Sequence, residues 1–552
     1  FATGLRAPNG MCVGPNDVVT VADNEGTWTP KCHLHEVKEG DFLGVAALAH
    51  GDEKPTSYDL HICWFPHHID NSNGGQVWVE GDRWGPLSGR LLHMSYGKSK
   101  LYLVMKEKKE GVIQGGVVQF MLQFNTGIMR GRFNRKDGQL YVSGLKGWQT
   151  TARRETGFQR VRYTGKLVQM PSALHVTKEG YDISFLQKLD RSTAEDPGNY
   201  SVEMWNYLWS SAYGSADYSM LNPGKKGKDR LQVKAAKLSE DGKTVSLEIP
   251  MLSEAMQVHV KFNLKSEDGT SVASNNIYST INKGYPKKLP RPEAPEIAEV
   301  DEKIEPGLSL ALESWDKKSK DTRRARMVSL FVRQKESPSP FVDAERFRAN
   351  WKGYLYHDLK EEFKFHLHGR GRARLTINGK KIIDSDLKDG KTVDSQNVML
   401  RNGRNDLAVS FESPGRGDAR LALYWSSEEF PPEPISPMLF THNAGESQVR
   451  KGRLVRKGRD LVARLRCLKC HVDYSGASTG SKMPEMSMDS PSLENIGERL
   501  NEQWMTEWIS NPKSFRSKSA MPRLFHSKKE GDEFATEARH IAAWLATLDK
   551  PH

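Results

Sequence analysis

Near the C-terminus, the stretch Cys467-Leu468-Lys469-Cys470-His471 has the spacing of a covalent c-type haem attachment site. Two thiols three positions apart can each bond to one vinyl group of the same porphyrin, and the histidine that follows can ligate the iron. The alternatives are a zinc site and a redox dithiol. Zinc requires a further pair of ligands, and no cysteine follows Cys470. We therefore predict one haem c, attached through Cys467 and Cys470, with His471 as an axial ligand.

A six-coordinate haem needs a second axial ligand, usually methionine or histidine. The candidates that we consider downstream of the motif are Met483, Met486, Met488, Met505, Met521, His526 and His540. We favour Met521 because Pro522 follows it, and a proline favours extended backbone at the residue before it. The alternative is that Met521 is an ordinary loop residue and that Met483 or Met486 ligates the iron. We predict His471 and Met521 as the two ligands of the haem iron.

Helices must position these residues. A middle helix is predicted from apolar residues that end before Asn511-Pro512, and a last helix from apolar residues at i, i+3, i+4 and i+7. The residues are Leu500, Trp504, Trp508 and Ile509 in the first case, and Ile541, Trp544, Leu545 and Leu548 in the second. The order of CxxCH helix, middle helix, Met-Pro loop and last helix, over residues 440–552, resembles the class I cytochrome c domain.

Composition limits the remaining classes of protein. A chain of 552 residues is expected to contain three or four domains. The mean hydropathy is −0.64, and no run of about 18 apolar residues predicts a membrane span. The formal charge is +12, and the charged residues are spread along the chain, with a local concentration of arginine and lysine at 450–466. A nucleic-acid-binding arm is one interpretation of that stretch. We favour a solvated helix face that steers an acidic redox partner protein, and we expect no nucleic-acid partner.

The cysteines and the haem motif bear on the compartment. Haem c is attached in an exported compartment, where disulfides also persist, so we expect a periplasmic or secreted protein. No signal peptide precedes Phe1 in this sequence. Three cysteines lie outside the motif, and we consider a disulfide between Cys32 and Cys63, with Cys12 as a small buried residue.

Short strands and frequent turns are predicted over residues 1–165. The stretches 9–24 and 131–143 have the same order of strand, Asp/Gly turn and strand, which is typical of propeller blades. Together with Gly4-Leu5-Arg6-Ala7-Pro8-Asn9-Gly10 and Asp23-Asn24-Glu25-Gly26, they resemble the six-bladed propeller of glucose/sorbosone dehydrogenases. The closer resemblance is to large secreted haem proteins of planctomycetes, in which such a propeller precedes a cytochrome domain. It implies that only the last three or so blades are present.

The propeller resemblance implies a quinone cofactor or calcium and a sugar in the upper loops. Arg6 matches the arginine of the family's G-x-R-N-P stretch, although Ala7 replaces the asparagine, and the family's catalytic histidine would lie in blades that this chain lacks. The candidate catalytic residues are Arg6, Asp23, Glu25, His67 and Arg132. The simpler interpretation of these residues is ordinary loop polarity. A second hypothesis is a copper or zinc site in the histidine- and cysteine-rich stretch 32–68.

Two β-sandwiches are predicted next. Residues 166–285 alternate in the manner of an immunoglobulin-like sandwich, with Met256, Val258, Val260 and Phe262 facing one way. A proline-rich, charged linker follows at 286–304. Residues 305–435 resemble the protective-antigen type of carbohydrate-binding module. That family often binds glycans through calcium, but the matching stretch 369–372 contains no acid, so a scaffold role is the alternative to glycan binding.

The fold class predicted is thus multidomain and mainly β, followed by an all-α cytochrome c domain at 440–552. The predicted function is an exported monohaem electron carrier that accepts electrons from sugar or alcohol oxidation at the propeller. The alternative is a carbohydrate- or surface-binding protein with a cytochrome tail and no catalytic activity. A third hypothesis makes the propeller part a subunit interface.

Overall fold

The computed structural model describes residues 1–50, 55–166, 168–283, 304–342, 345–465, 493–519, 521–525 and 533–548. Within them one compact unit lies before residue 297 and includes Asp358–Glu361, and the other comprises the remaining residues. Both units consist mainly of antiparallel β-sheet, which confirms the mainly β prediction. The predicted linker at 286–304 lies outside the described residues except for Ile304.

The first unit contains nineteen strands and one short helix within its described residues. They are β1 (Gly10–Val13), β2 (Val19–Asp23), β3 (Cys32–Val37), β4 (Cys63–Phe65), β5 (Asn73–Trp78), β6 (Leu91–Ser95), β7 (Lys100–Lys109), β8 (Val112–Gln119), β9 (Gly127–Phe133), β10 (Leu140–Leu145), β11 (Thr156–Val161), β12 (Pro171–Val176), β13 (Gly180–Phe185), α1 (Arg191–Ala194), β14 (Tyr200–Trp205), β15 (Asp229–Leu231), β16 (Ala235–Leu238), β17 (Thr244–Glu248), β18 (Ala255–Phe262) and β19 (Asn276–Ile281).

Two small antiparallel sheets contain the hairpins predicted from the Asp/Gly turns. One has the order β1-β2-β3-β4 and the other β11-β10-β9. In the second sheet the backbone N–H of Gly138 donates to the carbonyl oxygen of Asn134 over 2.7 Å. Gly138 has φ +68, in the left-handed region that glycine adopts without steric cost. The turn chemistry in the sequence therefore predicted these two pairings.

An eight-stranded sheet crosses the boundary predicted at residue 165. Its order is β15-β14-β18-β19-β8-β7-β6-β5, so strands from 1–165 and from 166–285 form one sheet. The connection is the pairing of β19 with β8, in which Ile277 lies opposite Val118 and Thr280 opposite Gly115. Because both residues Ile277 and Val118 are buried, this pairing gives the two segments a common core.

A four-stranded sheet, β12-β13-β17-β16, supplies the second layer of the sandwich in the first unit. Val258, Val260 and Phe262 are buried as predicted, but Met256 is only half-buried and Gln257 is completely buried. The register of β18 against β19 shifts between Ala255 and Val258. Such a bulge inserts an extra residue and reverses the alternation of faces beyond it, which explains why the prediction for Met256 was wrong.

The second unit begins with twelve strands in its described residues. They are β20 (Ile304–Pro306), β21 (Leu308–Ser314), β22 (Lys320–Ala325), β23 (Ser329–Val332), β24 (Phe347–His357), β25 (Glu361–Ile377), β26 (Lys380–Leu387), β27 (Thr392–Leu400), β28 (Gly403–Glu412), β29 (Ala419–Ser426), β30 (Glu433–Pro434) and β31 (Phe440–Asn443).

The long strand β25 connects the two layers of a β-sandwich in this unit. Its first half pairs with β29 and its second half with β28. The change of partner occurs at Gly369 and Gly371, whose φ values are +153 and +136. A side chain at Gly369 would collide with the backbone of Arg420. The acid-free stretch 369–372 is therefore the bend that lets one strand serve both sheets.

Five helices of the second unit follow the sandwich in the described part of the chain: α2 (Ser447–Arg464), α3 (Ile496–Arg499), α4 (Glu502–Ser510), α5 (Pro512–Phe515) and α6 (Glu533–Leu545). The helix predicted to end before Asn511 does so at Ser510, and Pro512 starts a further short helix. The last predicted helix ends at Leu545, so Leu548 lies beyond it. Cys467, Cys470 and His471 lie outside the described residues.

Candidate functional sites

Helix α2, which ends three residues before Cys467, packs against α6 at a glycine. Gly458 of α2 is in contact with the backbone of His540 in α6, and a Cβ at Gly458 would overlap the His540 carbonyl oxygen and lie 2.9 Å from Cβ of Trp544. Glycine allows this approach because it has no side chain to displace the facing helix. The last described residue of this segment, Leu465, lies one residue after α2, two before Cys467.

Met521 lies in an apolar cluster made by three helices. Leu461 and Val462 of α2, Met505 and Ile509 of α4, and Ile541 and Trp544 of α6 form its buried part. Met521, Trp504 and Trp508 pack against it and remain partly exposed. The Trp508 indole donates a hydrogen bond to Met521 Sδ over 3.1 Å, and the Trp504 and Trp508 rings stack with centroids 5.3 Å apart. The cluster therefore presents a thioether beside two partly open indole rings.

Two other candidate ligands downstream of the haem motif are described. Met505 is buried in the same cluster, 2% exposed, and it packs as a core residue. His540 is also buried, and its Nδ1 has no hydrogen-bond partner among the described residues. Burial, assisted by the charges of Lys457 and Arg539, lowers the pKa of His540. Met483, Met486, Met488 and His526 lie outside the described residues.

Four of the five candidate residues in the first unit fall in one loop cluster. The buried carboxylate of Asp23 accepts hydrogen bonds from the backbone N–H groups of Arg6, Ala7 and Asn24 at 2.6, 2.7 and 2.9 Å. Burial raises the pKa of Asp23, and these hydrogen bonds oppose the shift. Since Asp23 is 0% exposed, its role in this geometry is to hold the segment that carries Arg6.

Glu25 and His67 form a polar pair in this cluster, in which the His67 side chain is 54% exposed and that of Glu25 is 12% exposed. The Glu25 carboxylate lies 2.8 Å from Nδ1 of His67 and 2.9 Å from Nζ of Lys31. The Arg6 side chain packs against Gly26, and a Cβ at Gly26 would overlap the Arg6 guanidinium. The Arg6 guanidinium is 5.2 Å from the ring centre of Tyr213. Tyr213 is 67% exposed. The cluster thus combines a carboxylate, an imidazole, a guanidinium and an open aromatic ring.

Tyr213 is the residue that sequence reasoning missed at this position. It belongs to a group of aromatic residues at 205–218, of which Trp205 and Tyr207 are buried. The available signal was the glycine that follows Tyr213. Gly214 has φ +65, and a Cβ there would collide with the Glu25 carboxylate. The glycine therefore brings the Tyr213 loop against Glu25.

The fifth candidate, Arg132, lies elsewhere. It is on β9, where its guanidinium donates to the carbonyl of Gly131, and it lines an open hollow with Tyr141, Ser143 and Phe158. No hydrogen bond or ion pair joins Arg132 to Arg6, Asp23, Glu25 or His67 in the described residues. His68, next to His67 in sequence, instead hydrogen-bonds the Tyr278 hydroxyl at 2.9 Å, and burial lowers its pKa to about 4.

The histidine-rich stretch forms a buried cluster in which His33 and His35 of β3 meet His61. His33 and His61 stack with ring centres 3.8 Å apart, and Nδ1 of His35 lies 3.1 Å from Nδ1 of His61. Nε2 of His35 lies 3.1 Å from the Asp41 carboxylate. Burial lowers the pKa of His33 to about 3 and that of His61 well below its usual value. Across the described residues, no three His, Cys, Asp or Glu side chains are placed to hold one metal ion.

The disulfide considered between Cys32 and Cys63 is absent, because both residues are free thiols. They lie on the paired strands β3 and β4, where Cys32 is opposite Phe65 and Cys63 is opposite Leu34. Both are buried in an apolar core, and burial raises the pKa of each thiol. The two cysteines therefore serve as small core residues, whereas Cys12 is only half-buried.

Comparisons with protein-family models and with curated proteins gave no match. Among solved structures, the PA14 domain of an antifreeze protein is similar at 13% identity and a TM-score of 0.22, over 25% of this chain and 92% of that one. An epithelial adhesin 9 A domain from Candida glabrata, in complex with Galβ1-3GlcNAc, is similar at 10% and 0.21, over 25% and 90%. An anti-sigma factor domain-containing protein from Clostridium clariflavum is similar at 12% and 0.22, over 55% and 97%.

Among the residues that the structure describes, no helix combines the length and the apolar composition needed to span a bilayer.

Proposed function

We propose that this protein is an exported monohaem electron carrier. Cys467 and Cys470 would attach haem c, and His471 and Met521 would be its axial ligands. The observation that supports the proposal is the position of Met521, whose partly exposed thioether packs in the same apolar cluster as the end of α2, and the CxxCH motif starts three residues after α2 ends. A haem with both axial positions filled exchanges single electrons and does not bind oxygen.

The described residues fit such a group in three ways. The cluster has a partly open apolar surface, since Leu465, Trp504, Trp508 and Met521 pack against its buried part and stay partly exposed, and such a surface suits an apolar macrocycle. The Met521 sulfur accepts one hydrogen bond from Trp508 and keeps a second lone pair for a metal. The tight crossing of α2 and α6 at Gly458 fixes the helix that precedes the two cysteines.

The decisive experiment is a pyridine haemochrome assay on the full chain, produced in an exported compartment that attaches haem c. We expect one covalent haem per chain and a near-infrared band of a methionine–iron bond. Met521→Ala should remove that band and keep the covalent haem. Met438→Ala is the matched control, since Met438 lies in the same unit and is 88% exposed. Absence of covalent haem in the wild type would refute the proposal.

We further propose that the loop cluster of Arg6, Glu25, His67 and Tyr213 is the place where the electrons enter, from oxidation of a sugar or alcohol. A carboxylate hydrogen-bonded to an imidazole can accept a substrate proton, and an open tyrosine ring beside a guanidinium suits the stacking and hydrogen bonding of a sugar. The two small sheets, β1–β4 and β9–β11, would be propeller blades in this proposal. A quinone would be the cofactor there. Calcium fits less well, because the Asp23 carboxylate is committed to backbone N–H groups.

A panel of sugars and alcohols, added to the oxidised full-length protein with and without a quinone, would test this second step through reduction of the haem. Tyr213→Ala should weaken substrate binding, and Glu25→Gln should slow reduction at saturating substrate. Trp148→Ala is the control, because Trp148 is an exposed aromatic residue of the same unit, 83% exposed. If sugars bind without reducing the haem, the protein is a carbohydrate-binding protein with a cytochrome tail.

A further inference from the structure

A cleft of about 580 Å³ runs along one side of α2, where this helix packs on β22. Arg323 and Arg324 of β22 and Arg453, Arg456 and Lys457 of α2 line it, together with the acids Glu305 and Asp460. The walls are rigid secondary structure, because Gly452 of α2 lies directly against the backbone of Thr322 and leaves no room for a side chain. The cleft is therefore a fixed and strongly basic surface.

The ion pairs of this cleft leave part of the positive charge without an acid. Arg453 binds both oxygens of Glu305, at 2.7 and 3.3 Å, and Arg456 pairs with the buried carboxylate of Asp321. Among the described residues, no acid lies within ion-pairing distance of Arg323, Arg324 or Lys457. Asp460 is the one further acid of the cleft, so two positive charges remain uncompensated.

Among Arg323, Arg324 and Lys457, Arg323 is the residue whose surroundings disfavour its positive charge. Its guanidinium is half-buried, and burial together with the neighbouring charge of Arg456 lowers its pKa. The buried Nε of Arg456 also has no hydrogen-bond acceptor in the described part of the chain. Burying a charge or an N–H donor without a partner costs free energy. Arg323 therefore lies near a second guanidinium without an acid within ion-pairing distance of its own, and a bound anion would stabilise its charge.

We propose that this cleft binds a tetrahedral oxyanion, the phosphate or sulfate group of a larger ligand, at Arg323. A tetrahedral anion offers three or four acceptor oxygens that point in different directions, so it can accept hydrogen bonds from donors on both β22 and α2. A doubly charged phosphate matches the two uncompensated charges. Because the cleft is much larger than the anion itself, the organic part of an ester has room beside Val449.

The test is isothermal titration of the full-length protein with inorganic phosphate and with sulfate, at an ionic strength held constant with chloride. Glucose 6-phosphate and glucose 6-sulfate, as two further arms, distinguish the two esters. We expect saturable binding of at least one of the four. Arg323→Gln should weaken it about tenfold or more, which corresponds to the loss of one hydrogen bond to a charged group.

Arg416→Gln is the matched control, because it removes the same charge from an exposed arginine of the same unit. Equal weakening by Arg323→Gln and Arg416→Gln would indicate a general charge effect and overturn the proposal. So would the lack of saturable binding of all four anions to the wild type at 10 mM, about the concentration at which a weak site would be filled. Arg323 has no ion pair to lose, so the variant is expected to fold, and its thermal unfolding without ligand checks this.

Discussion

The indole Nε1–H of Trp508 donates a hydrogen bond to Sδ of Met521 over a distance of 3.1 Å, thirteen residues along the chain. Trp508 lies on α4 and Met521 follows α5, so the bond joins a helix to the Met-Pro loop. Its length is short for a thioether acceptor, which is a weak one. The contact orients the sulfur that we propose as an axial ligand.

Replacing Trp508 with phenylalanine is expected to lower the midpoint potential of the bound haem. A hydrogen bond withdraws electron density from the sulfur and so disfavours the oxidised iron, and its loss should stabilise the oxidised state. One net hydrogen bond of ~1 kcal/mol would correspond to roughly 40 mV in a one-electron couple, as an upper limit. Potentiometric titration of the holoprotein measures the change.

Trp504→Phe is the control for this prediction, because Trp504 stacks on Trp508 and no hydrogen bond from its indole to Met521 is among the described contacts. A potential unchanged in Trp508→Phe, or changed equally in both variants, would contradict the role assigned to the hydrogen bond.

Gly458→Ala is expected to destabilise the second unit by about 1–3 kcal/mol, the usual cost of forcing extra volume into a packed contact. The added Cβ would overlap the His540 backbone and approach Cβ of Trp544, so α2 and α6 would have to separate. Urea-induced unfolding measures the loss. Gly415→Ala is the control and should change the free energy of unfolding by at most about 0.5 kcal/mol, because no atom lies within 4 Å of the Cβ that it would add.

The histidine cluster predicts a loss of stability at mildly acidic pH. The pKa values of His33, His35 and His61 are all lowered, chiefly by burial. Below pH 6.5, the usual pKa of these histidines, the unfolded chain therefore binds protons that the folded chain does not. The free energy of unfolding is therefore highest above pH 6.5. As the pH decreases below that value, each group lowers the free energy of unfolding by about 1.4 kcal/mol per pH unit. This decrease continues to the pKa of the folded state, which is about 3 for His33.

Unfolding free energies of the first unit measured between pH 7.5 and 5 would test this dependence. His33→Phe removes one of the three groups and should make the decrease less steep. His50→Gln is the control, because His50 is exposed and lies outside the cluster. An equal slope in His33→Phe and in the wild type would show that the cluster does not cause the pH dependence.

Asp70→Asn is expected to destabilise the first unit by about 2–3 kcal/mol. The Asp70 carboxylate is completely buried and accepts hydrogen bonds from Nε2 of His93 at 2.8 Å and from the Ser95 hydroxyl at 2.6 Å. An amide can accept only through its oxygen, so one buried donor would lose its partner. Asp82→Asn, at an exposed position, should be neutral within about 0.5 kcal/mol. A neutral effect of Asp70→Asn would mean that the amide reorganises the network.

Local pattern predicted local structure well. The hairpins around Gly138 and between β1 and β2, the alternation of Val258, Val260 and Phe262, and the end of α4 before Asn511 all follow from residues close in sequence. The prediction for Met256 was wrong because a bulge is specified by the pairing of β18 with β19, twenty residues apart. The boundary placed at residue 165 could not reveal the pairing of β19 with β8, which joins residues more than 150 positions apart.

The candidate chemistry is evident from the sequence, because a CxxCH spacing depends only on covalent reach and on neighbouring residues. The sequence also indicated Arg6, Glu25 and His67 as candidates. Three relationships became visible only in the folded chain. Tyr213 lies beside Arg6, and Arg132 lies apart from Arg6, Glu25 and His67. The Trp508 indole donates a hydrogen bond to Met521. The physical reason is that such contacts are set by the packing of sheets and helices in three dimensions, which the local pattern of residues does not encode.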